Sequence, residues 1–134
     1  MDCIFCNIII GKIPCYKTFE NDDVMAFLDI NPVSHGHTLV VPKKHFTNME
    51  DITEEELGKL IKAVKKVAYA LKNGLGAAGY NVQLNNDPEA GQEVPHIHFH
   101  IIPRRQGDGL KIWKQTQYNK GEIEKVVDKI KGRI

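Results

Sequence analysis

The stretch that most constrains this chain runs from His96 to Ile101, where histidine alternates with large apolar residues. Successive side chains of a β-strand point to opposite faces, so residues two apart share a face. The three histidines of such a strand form a row, with neighbours roughly 7 Å apart. The apolar residues that then face a core are Ile97, Phe99 and Ile101. The histidines share the opposite face, and they are His96, His98 and His100.

Three imidazoles on one face of a strand allow three interpretations. A strand face that only meets solvent would more naturally carry Lys, Thr or Glu, so this interpretation is the weakest. The row could bind a metal, because imidazole is the commonest metal ligand at neutral pH. It could also supply a nucleophile or an acid–base pair. The row alone leaves these two chemistries open.

The length and the charge of the chain limit which classes of function are expected. The 134 residues fit one domain spanning 1–134 with a real hydrophobic core. The 18 basic and 17 acidic residues nearly cancel, so no DNA or RNA partner is expected. No apolar run approaches the ~20 residues that span a bilayer, and no secretory signal is evident. The expected location is cytoplasmic, without a membrane partner.

The hydrophobic pattern predicts short strands and two helices. A capping box at Thr53 and Glu56 starts a helix whose apolar stripe includes Ile61, and Asn73-Gly74 is expected to end it. A short amphipathic helix is expected near Ile130. The predicted strands are 16–20, 24–28, 37–42, 80–85 and the histidine strand. Strands joined by short turns predict an α+β fold: an antiparallel sheet with helices on one side.

A second chemical signal is the Cys3-x-x-Cys6 pair at the start of the chain. In a chain without a signal peptide, such a pair indicates metal binding or redox chemistry before structural disulfides. No βαβ pattern follows, which argues against a thioredoxin-like role. Zinc would need two further ligands from elsewhere, and a reduced pair without metal is the alternative.

The histidine stretch resembles the signature of the histidine triad family of nucleotide hydrolases and transferases. The resemblance extends through 3–6, 27–32 and 36–45, in the family's order and at its spacings. It also covers Asn85, Gly91, Gln92 and Val94. The family fold agrees with the α+β prediction, and its members form homodimers whose sheet runs continuously through both subunits. A homodimer is therefore expected, closing the exposed edge at 80–85.

The resemblance assigns roles to three histidines. The middle one, His98, is the expected nucleophile, which attacks an α-phosphorus and becomes a nucleotidylated intermediate. A backbone carbonyl is expected to hold its other nitrogen as N–H. His100 is expected to donate a hydrogen bond to a non-bridging phosphate oxygen, and His37 is the supporting histidine.

Nucleoside recognition is implied at another part of the chain. Asp29 occupies the family's position for binding the ribose hydroxyls, a task suited to a carboxylate acceptor. Ile30 and Phe27 lie where apolar side chains pack on the purine. For Phe27, a core position is an equally good interpretation.

The segment before the histidines is implied to contact the phosphate and the leaving group. Asn85, Gln92 and the backbone N–H of Val94 correspond to those contacts, and Gly91 would let the backbone approach closely. Glu93 lies where the phosphoramidase branch commonly has a small hydroxyl residue. A carboxylate there would repel a polyphosphate leaving group and favour an amine.

The resemblance also resolves the metal ligands. Some branches of the family carry a structural zinc, and its ligands carried over by position are Cys3, Cys6, His45 and His96. This separate site argues against a metalloenzyme that uses the three histidines of the row directly.

The expected function is hydrolysis of nucleoside 5′-phosphoramidates such as AMP or GMP amides, with the purine nucleotide as substrate and Zn²⁺ as structural cofactor. Cleavage of dinucleoside polyphosphates, or nucleotidyl transfer, is the alternative within the same chemistry. A non-catalytic, nucleotide-binding regulatory module is the alternative of another class, which the retained His98, His100 and Gln92 disfavour.

Overall fold

An antiparallel sheet forms the centre of the computed structural model, which describes residues 2–134. The strands are β1 Lys17–Glu20, β2 Val24–Leu28, β3 Thr38–Pro42, β4 Gly79–Leu84 and β5 Phe99–Arg104, in the order β1-β2-β3-β5-β4. The helices are α1 Ile4–Ile9, α2 Glu54–Leu75 and α3 Glu122–Lys131, with one 3₁₀ turn at Pro88–Ala90. The predicted α+β class and antiparallel sheet are confirmed.

The central strands β2 and β3 bury both of their faces, because their residues alternate between two apolar clusters. The long helix α2 covers one face and builds the main core, as expected for helices on one side. The short helix α1, which the sequence did not reveal, packs on the opposite face. The main core includes Ala26, Val40, Leu60, Val64, Ile97, Phe99 and Ile101. The second cluster contains Phe5, Met25, Phe27, Leu39 and Val41.

Helix α2 begins as predicted and ends later. The Thr53 hydroxyl accepts the N–H of Glu56 at 3.2 Å, which satisfies an otherwise unpaired donor of the first turn. The predicted end at Asn73-Gly74 is wrong, because a single glycine costs a helix only about 1 kcal/mol. The left-handed cap is Gly76, with φ 65°. Ile61, placed on the core stripe, is 44% exposed.

The histidine strand also begins later than predicted, at Phe99 rather than His96. Its pairing with β3 stops at Val40 opposite Phe99. The next residues of β3 end in Pro42, which has no N–H for a ladder hydrogen bond. The predicted alternation of faces nevertheless holds through the irregular segment: Ile97 lies in the main core, and the rings of His96 and His98 contact Phe5 on the other side.

The C-terminal helix α3 is present as predicted, but none of its side chains is buried. Trp113, in the irregular segment before it, is 80% exposed. Within the described residues, no helix combines the length and the apolar character needed to cross a membrane.

Candidate active site and metal centre

His98 lies in the buried turn that leads into β5, and its side chain is held by its own backbone. Its Nδ1 lies 2.7 Å from the carbonyl oxygen of His96. A carbonyl can only accept, so Nδ1 carries the proton and Nε2 keeps its lone pair. Burial lowers the pKa of His98, while the same hydrogen bond and the charges of Asp29 and Glu93 oppose the shift. The residue is therefore a neutral imidazole with a fixed tautomer, which is what a nucleophile requires.

His37 and His100 form a directed hydrogen-bond chain beside it. The backbone N–H of Val33 donates to His37 Nδ1 at 3.1 Å. In the neutral ring, His37 Nε2 then carries the proton and donates to His100 Nδ1, 2.9 Å away. His100 must therefore carry its own proton on Nε2. The chain leaves His100 with an N–H to donate to a ligand oxygen.

The same two histidines stay neutral near pH 7. Burial lowers the pKa of His100 to about 4, aided by the neighbouring rings of His98 and His37, and Asp29 opposes the shift. Burial also lowers the pKa of His37, again with Asp29 opposing. The donor that His100 offers is therefore an uncharged N–H.

Asp29 brings a carboxylate to the edge of this group. Its Oδ2 lies 3.8 Å from His37 Nε2, and its Oδ1 accepts the N–H of Asn31 at 2.8 Å. Ile30 is 76% exposed and available to a ligand, whereas Phe27 is only 3% exposed. Phe27 is thus a core residue in this structure, the second of its two interpretations.

Gln92 has a different role from the predicted phosphate contact. Its amide nitrogen donates to the carbonyls of Thr47 at 2.6 Å and Val94 at 3.1 Å. Its amide oxygen accepts the N–H of Asp87 at 2.8 Å. Both amide donors are occupied, so the prediction is corrected: Gln92 holds the loop that precedes the histidines. Asp87 needs that support, because its φ of 73° is strained for a residue other than glycine.

The rest of this loop is compatible with the predicted placements. Gly91 has φ 90°, and a Cβ built there would lie 3.6 Å from the side-chain nitrogen of Asn85. Glu93 is exposed, and its charge reaches His98, whose pKa it raises against the effect of burial.

A groove of about 810 Å³ adjoins these residues, lined in part by Val33, Asn85, Ile102 and Trp113. Val33 is the residue whose N–H orients His37, and Ile102 shares a strand face with His100. This volume lies in the range of small-molecule sites. The groove reaches Asn85, one of the predicted contact residues, but His37, His98 and His100 do not line it.

The predicted metal ligands come together at the other end of the histidine row. Four donor atoms, one each from Cys3, Cys6, His45 and His96, all lie within 4.8 Å of one another. Cys3 Sγ and Cys6 Sγ are 3.5 and 3.6 Å from His96 Nδ1, and Cys6 Sγ is 3.4 Å from His45 Nδ1. The edges of a tetrahedral zinc site with these ligands measure about 3.3 to 3.8 Å.

The protonation of His96 also fits a metal ligand. Its Nε2 lies 2.9 Å from the carbonyl oxygen of Pro42, so Nε2 carries the proton and Nδ1 presents its lone pair to the cysteines. His45 Nδ1 is 3.1 Å from His96 Nδ1. Burial, followed by the hydrogen bond with Cys3, raises the pKa of the Cys6 thiol, and a bound cation would reverse that shift. The donor set and its spacing fit Zn²⁺.

One residue of the site had no signal of its own in the sequence. Phe5 lies between the two cysteines and is only 5% exposed. Its ring packs edge-on against His98, with centroids 4.9 Å apart, and also contacts His96 and Phe27. Its place inside the Cys-x-x-Cys motif was the only available clue.

Comparisons with known proteins identify relatives of this chain. The HIT domain model matches residues 11–107. An uncharacterised HIT-like protein of Methanocaldococcus jannaschii is 50% identical over 97% of this chain and 99% of its own. Adenosine 5′-monophosphoramidase hnt1 of Schizosaccharomyces pombe is 41% identical, covering 100% and 99%. The crystal structure of a HIT family member from Bacillus subtilis superimposes with a TM-score of 0.92 at 40% identity, covering 100% and 98%. The resemblance drawn from the sequence is confirmed, and the chain belongs to the HIT-domain family.

Proposed function

We propose that this protein hydrolyses nucleoside 5′-phosphoramidates of purine nucleotides through a covalent nucleotidyl-His98 intermediate. The observation that carries the proposal is the 2.7 Å hydrogen bond from His98 Nδ1 to the carbonyl of His96, because it frees Nε2 for attack. The monophosphoramidase activity named for the Schizosaccharomyces pombe relative, at 41% identity, supports this reaction class.

The reaction takes place in two displacements. His98 Nε2 attacks the α-phosphorus, the P–N bond breaks, and the amine leaves after taking up one proton. Water then attacks the phosphorus, the bond to His98 breaks, and one proton returns to solvent with the nucleoside monophosphate. His100 donates its Nε2–H to a non-bridging oxygen, where charge grows in both transition states.

Recognition of the nucleotide uses the neighbouring residues. Asp29 accepts hydrogen bonds from the ribose hydroxyls, and the exposed Ile30 packs against the base, with Phe27 behind it in the core. Asn85 and the backbone N–H of Val94 contact the phosphate and the leaving group. Gly91 keeps the loop close to them.

We assign Zn²⁺ to the Cys3, Cys6, His45 and His96 cluster. When bound, the ion cross-links the N-terminal segment to the turn before β5, a structural role. His96 presents the lone pair of Nδ1 to that cluster and donates its Nε2–H to the carbonyl of Pro42. It therefore has no nitrogen left for proton transfer or attack, which leaves that work to His98 and His100.

A homodimer is also part of the proposal. Strand β4 lies at one edge of the sheet, and its Tyr80 and Val82 are 41% and 43% exposed. Pairing of two β4 edges would make one sheet continuous through both subunits and protect the edge. Sedimentation at micromolar concentration should show a dimer, and a monomer would contradict this part. A reducing cytoplasmic setting suits Cys3 and Cys6, which are not joined in a disulfide.

A substrate panel tests the activity. Adenosine and guanosine phosphoramidates are compared with diadenosine polyphosphates and with an adenylyl transfer assay, as ratios of kcat/KM. We expect the phosphoramidates to be preferred, because the charge of Glu93 acts close to His98 and disfavours an anionic leaving group. Preference for polyphosphates would replace the proposal with its alternative. Nucleotide binding without any turnover would favour the regulatory module instead.

A further inference from the structure

We propose that Phe5 is a positioning residue that couples the metal centre to the nucleophile by aiming the ring of His98. This inference rests on the proposed function and deepens it: the metal would serve the chemistry through an aromatic contact, without touching the reacting atoms.

The geometry of the contact is specific. The rings of Phe5 and His98 are 4.9 Å apart between centroids, with an interplanar angle of 81°. The same Phe5 ring meets His96, a metal ligand, at 5.8 Å and 77°. Such edge-to-face contacts are favoured over other orientations. One buried ring therefore touches both the ligand histidine and the nucleophile.

His98 needs this contact because its hydrogen bond fixes one atom only. The bond from Nδ1 to the His96 carbonyl selects the tautomer, yet the terminal ring torsion of histidine is broad by itself. The ring of His100 lies on another side at 4.8 Å and 57°. Packing between Phe5 and His100 thus limits the rotation of the His98 ring and directs its Nε2.

Phe5 is in turn fixed by the metal ligands on both sides of it in sequence. It belongs to α1, a helix of 6 residues, and helices this short are marginal without outside support. Cys3 caps the helix by accepting the N–H of Cys6 at 3.4 Å. Metal bound to both cysteines would anchor this turn, so the order of Phe5 depends on the loaded centre.

The test compares Phe5→Leu with the wild type, both zinc-loaded. The matched control is Phe19→Leu, a partly buried phenylalanine that packs against the main core, on the other face of the sheet. We expect Phe5→Leu to lower kcat about tenfold with KM nearly unchanged, as misaimed groups do. Phe19→Leu should lower stability without this change in kcat.

A readout independent of turnover is the tautomer of His98, followed by ¹⁵N-detected ring correlations. The wild type should show a single Nδ1–H tautomer. Phe5→Leu should show a mixture, because a ring that rotates away loses its hydrogen bond to the His96 carbonyl, which selects the tautomer. Chelating the metal from the wild type at low temperature should produce the same mixture. In Phe5→Leu, chelation should add little, because the coupling residue is already gone.

Each outcome decides between the alternatives. A raised KM with unchanged kcat would mean that Phe5 contacts the nucleotide rather than aiming His98, and would overturn the inference. A single tautomer in Phe5→Leu, or additive effects of chelation and substitution, would also overturn it. If Phe5→Leu does not fold, Phe5→Met and the chelated wild type supply the comparison. If the wild type showed no phosphoramidase turnover, the proposed function would be wrong, but the tautomer measurement would still test the role of Phe5.

Discussion

The two ends of the histidine row use the same side chain in opposite ways. His96 is fully buried, gives its Nε2–H to the carbonyl of Pro42 and turns Nδ1 to two cysteines. His100, on the same face, receives a hydrogen bond on Nδ1 from His37 and keeps its Nε2–H for a ligand. One end presents a lone pair, which suits a cation, and the other presents a proton, which suits an anion.

The difference shows that the partner of one ring nitrogen decides the chemistry of the other. A backbone carbonyl fixes the proton on Nε2 of His96 and on Nδ1 of His98. For His100, the position of the proton is set indirectly. The backbone N–H of Val33 fixes the tautomer of His37, and His37 then donates to Nδ1 of His100. Three residues in one alternating pattern thus present three different groups: a lone pair directed at two cysteines, a lone pair on Nε2 of His98 without a partner among the described residues, and an N–H on His100.

The largest expected effect comes from removing the nucleophile between the two ends. His98→Ala should lower kcat at least about a thousandfold, because the neighbouring rings of His37 and His100 use both of their Nδ1 lone pairs as acceptors and carry protons on Nε2. Circular dichroism and nucleotide affinity should stay close to wild type.

Rapid quenching of the wild-type reaction identifies the same residue directly. A nucleotidyl adduct should be trapped on His98, and His37→Ala serves as a comparison that keeps the nucleophile. An adduct on another residue, or substantial turnover by His98→Ala, would contradict the assignment.

The second prediction concerns the metal end of the row. Cys3→Ala should lower the melting temperature by roughly 10 °C, because zinc would tie together segments far apart in sequence and its loss loosens the fold. At low temperature kcat should fall by about tenfold at most, as in Phe5→Leu, because His98 is less well aimed but is still present. Metal analysis should find one zinc per wild-type chain.

Cys15→Ala is the matched control, because Cys15 is also a free, partly buried cysteine outside the cluster. It should keep its zinc and most of its stability. A wild type that is fully stable without metal, or a metal bound at His98, would refute the arrangement.

The sequence predicts the periodic features of this fold, such as which side chains are buried, better than it predicts where helices and strands begin and end. The alternation around Phe99 predicted which residues face the main core even where no regular strand forms, because burial follows the side-chain direction. The start of β5 was missed, because it depends on Pro42 of another strand. The end of α2 was missed by two residues, because Gly74 and Gly76 look equivalent in sequence and only one adopts the left-handed conformation.

The candidate site also divides into features that the sequence pattern predicted and features that depend on residues distant in sequence. The histidine row and the cysteine pair were found by type and spacing, the full ligand set came from the family resemblance, and the four ligand residues do converge. The role of Gln92 was wrong, because its hydrogen bonds depend on Thr47, distant in sequence. The backbone N–H of Val33 and the ring of Phe5 have no chemical signature, and only the folded structure reveals what they orient.

The third prediction tests the neutral, buried state of His100 through stability. Its pKa falls from 6.5 to about 4 on folding, so between these values the unfolded chain binds more protons than the folded one. Stability contributed by neutral His100 is therefore complete above pH 6.5 and is lost as the pH falls towards 4. The stability gap between wild type and His100→Asn should narrow by about 2 kcal/mol from pH 7 to pH 5.

Urea unfolding at the two pH values measures this gap. His35→Asn is the control, because His35 lies exposed in a turn, and its gap from wild type should stay constant. If the His100→Asn gap were constant or wider at pH 5, His100 would not be held neutral by burial.

The smallest effect is expected at Glu93, whose charge tests how the His100 end of the row discriminates between leaving groups. Glu93 is exposed, so its repulsion of a polyphosphate leaving group is screened, and Glu93→Ser should raise the relative kcat/KM for polyphosphates only about threefold. Because the effect is electrostatic, it should shrink at high salt. Glu89→Ser, another exposed carboxylate of the same loop, should leave the ratio unchanged. An unchanged ratio in Glu93→Ser would make that side chain a bystander, and the preference for amines would then have to come from the loop backbone.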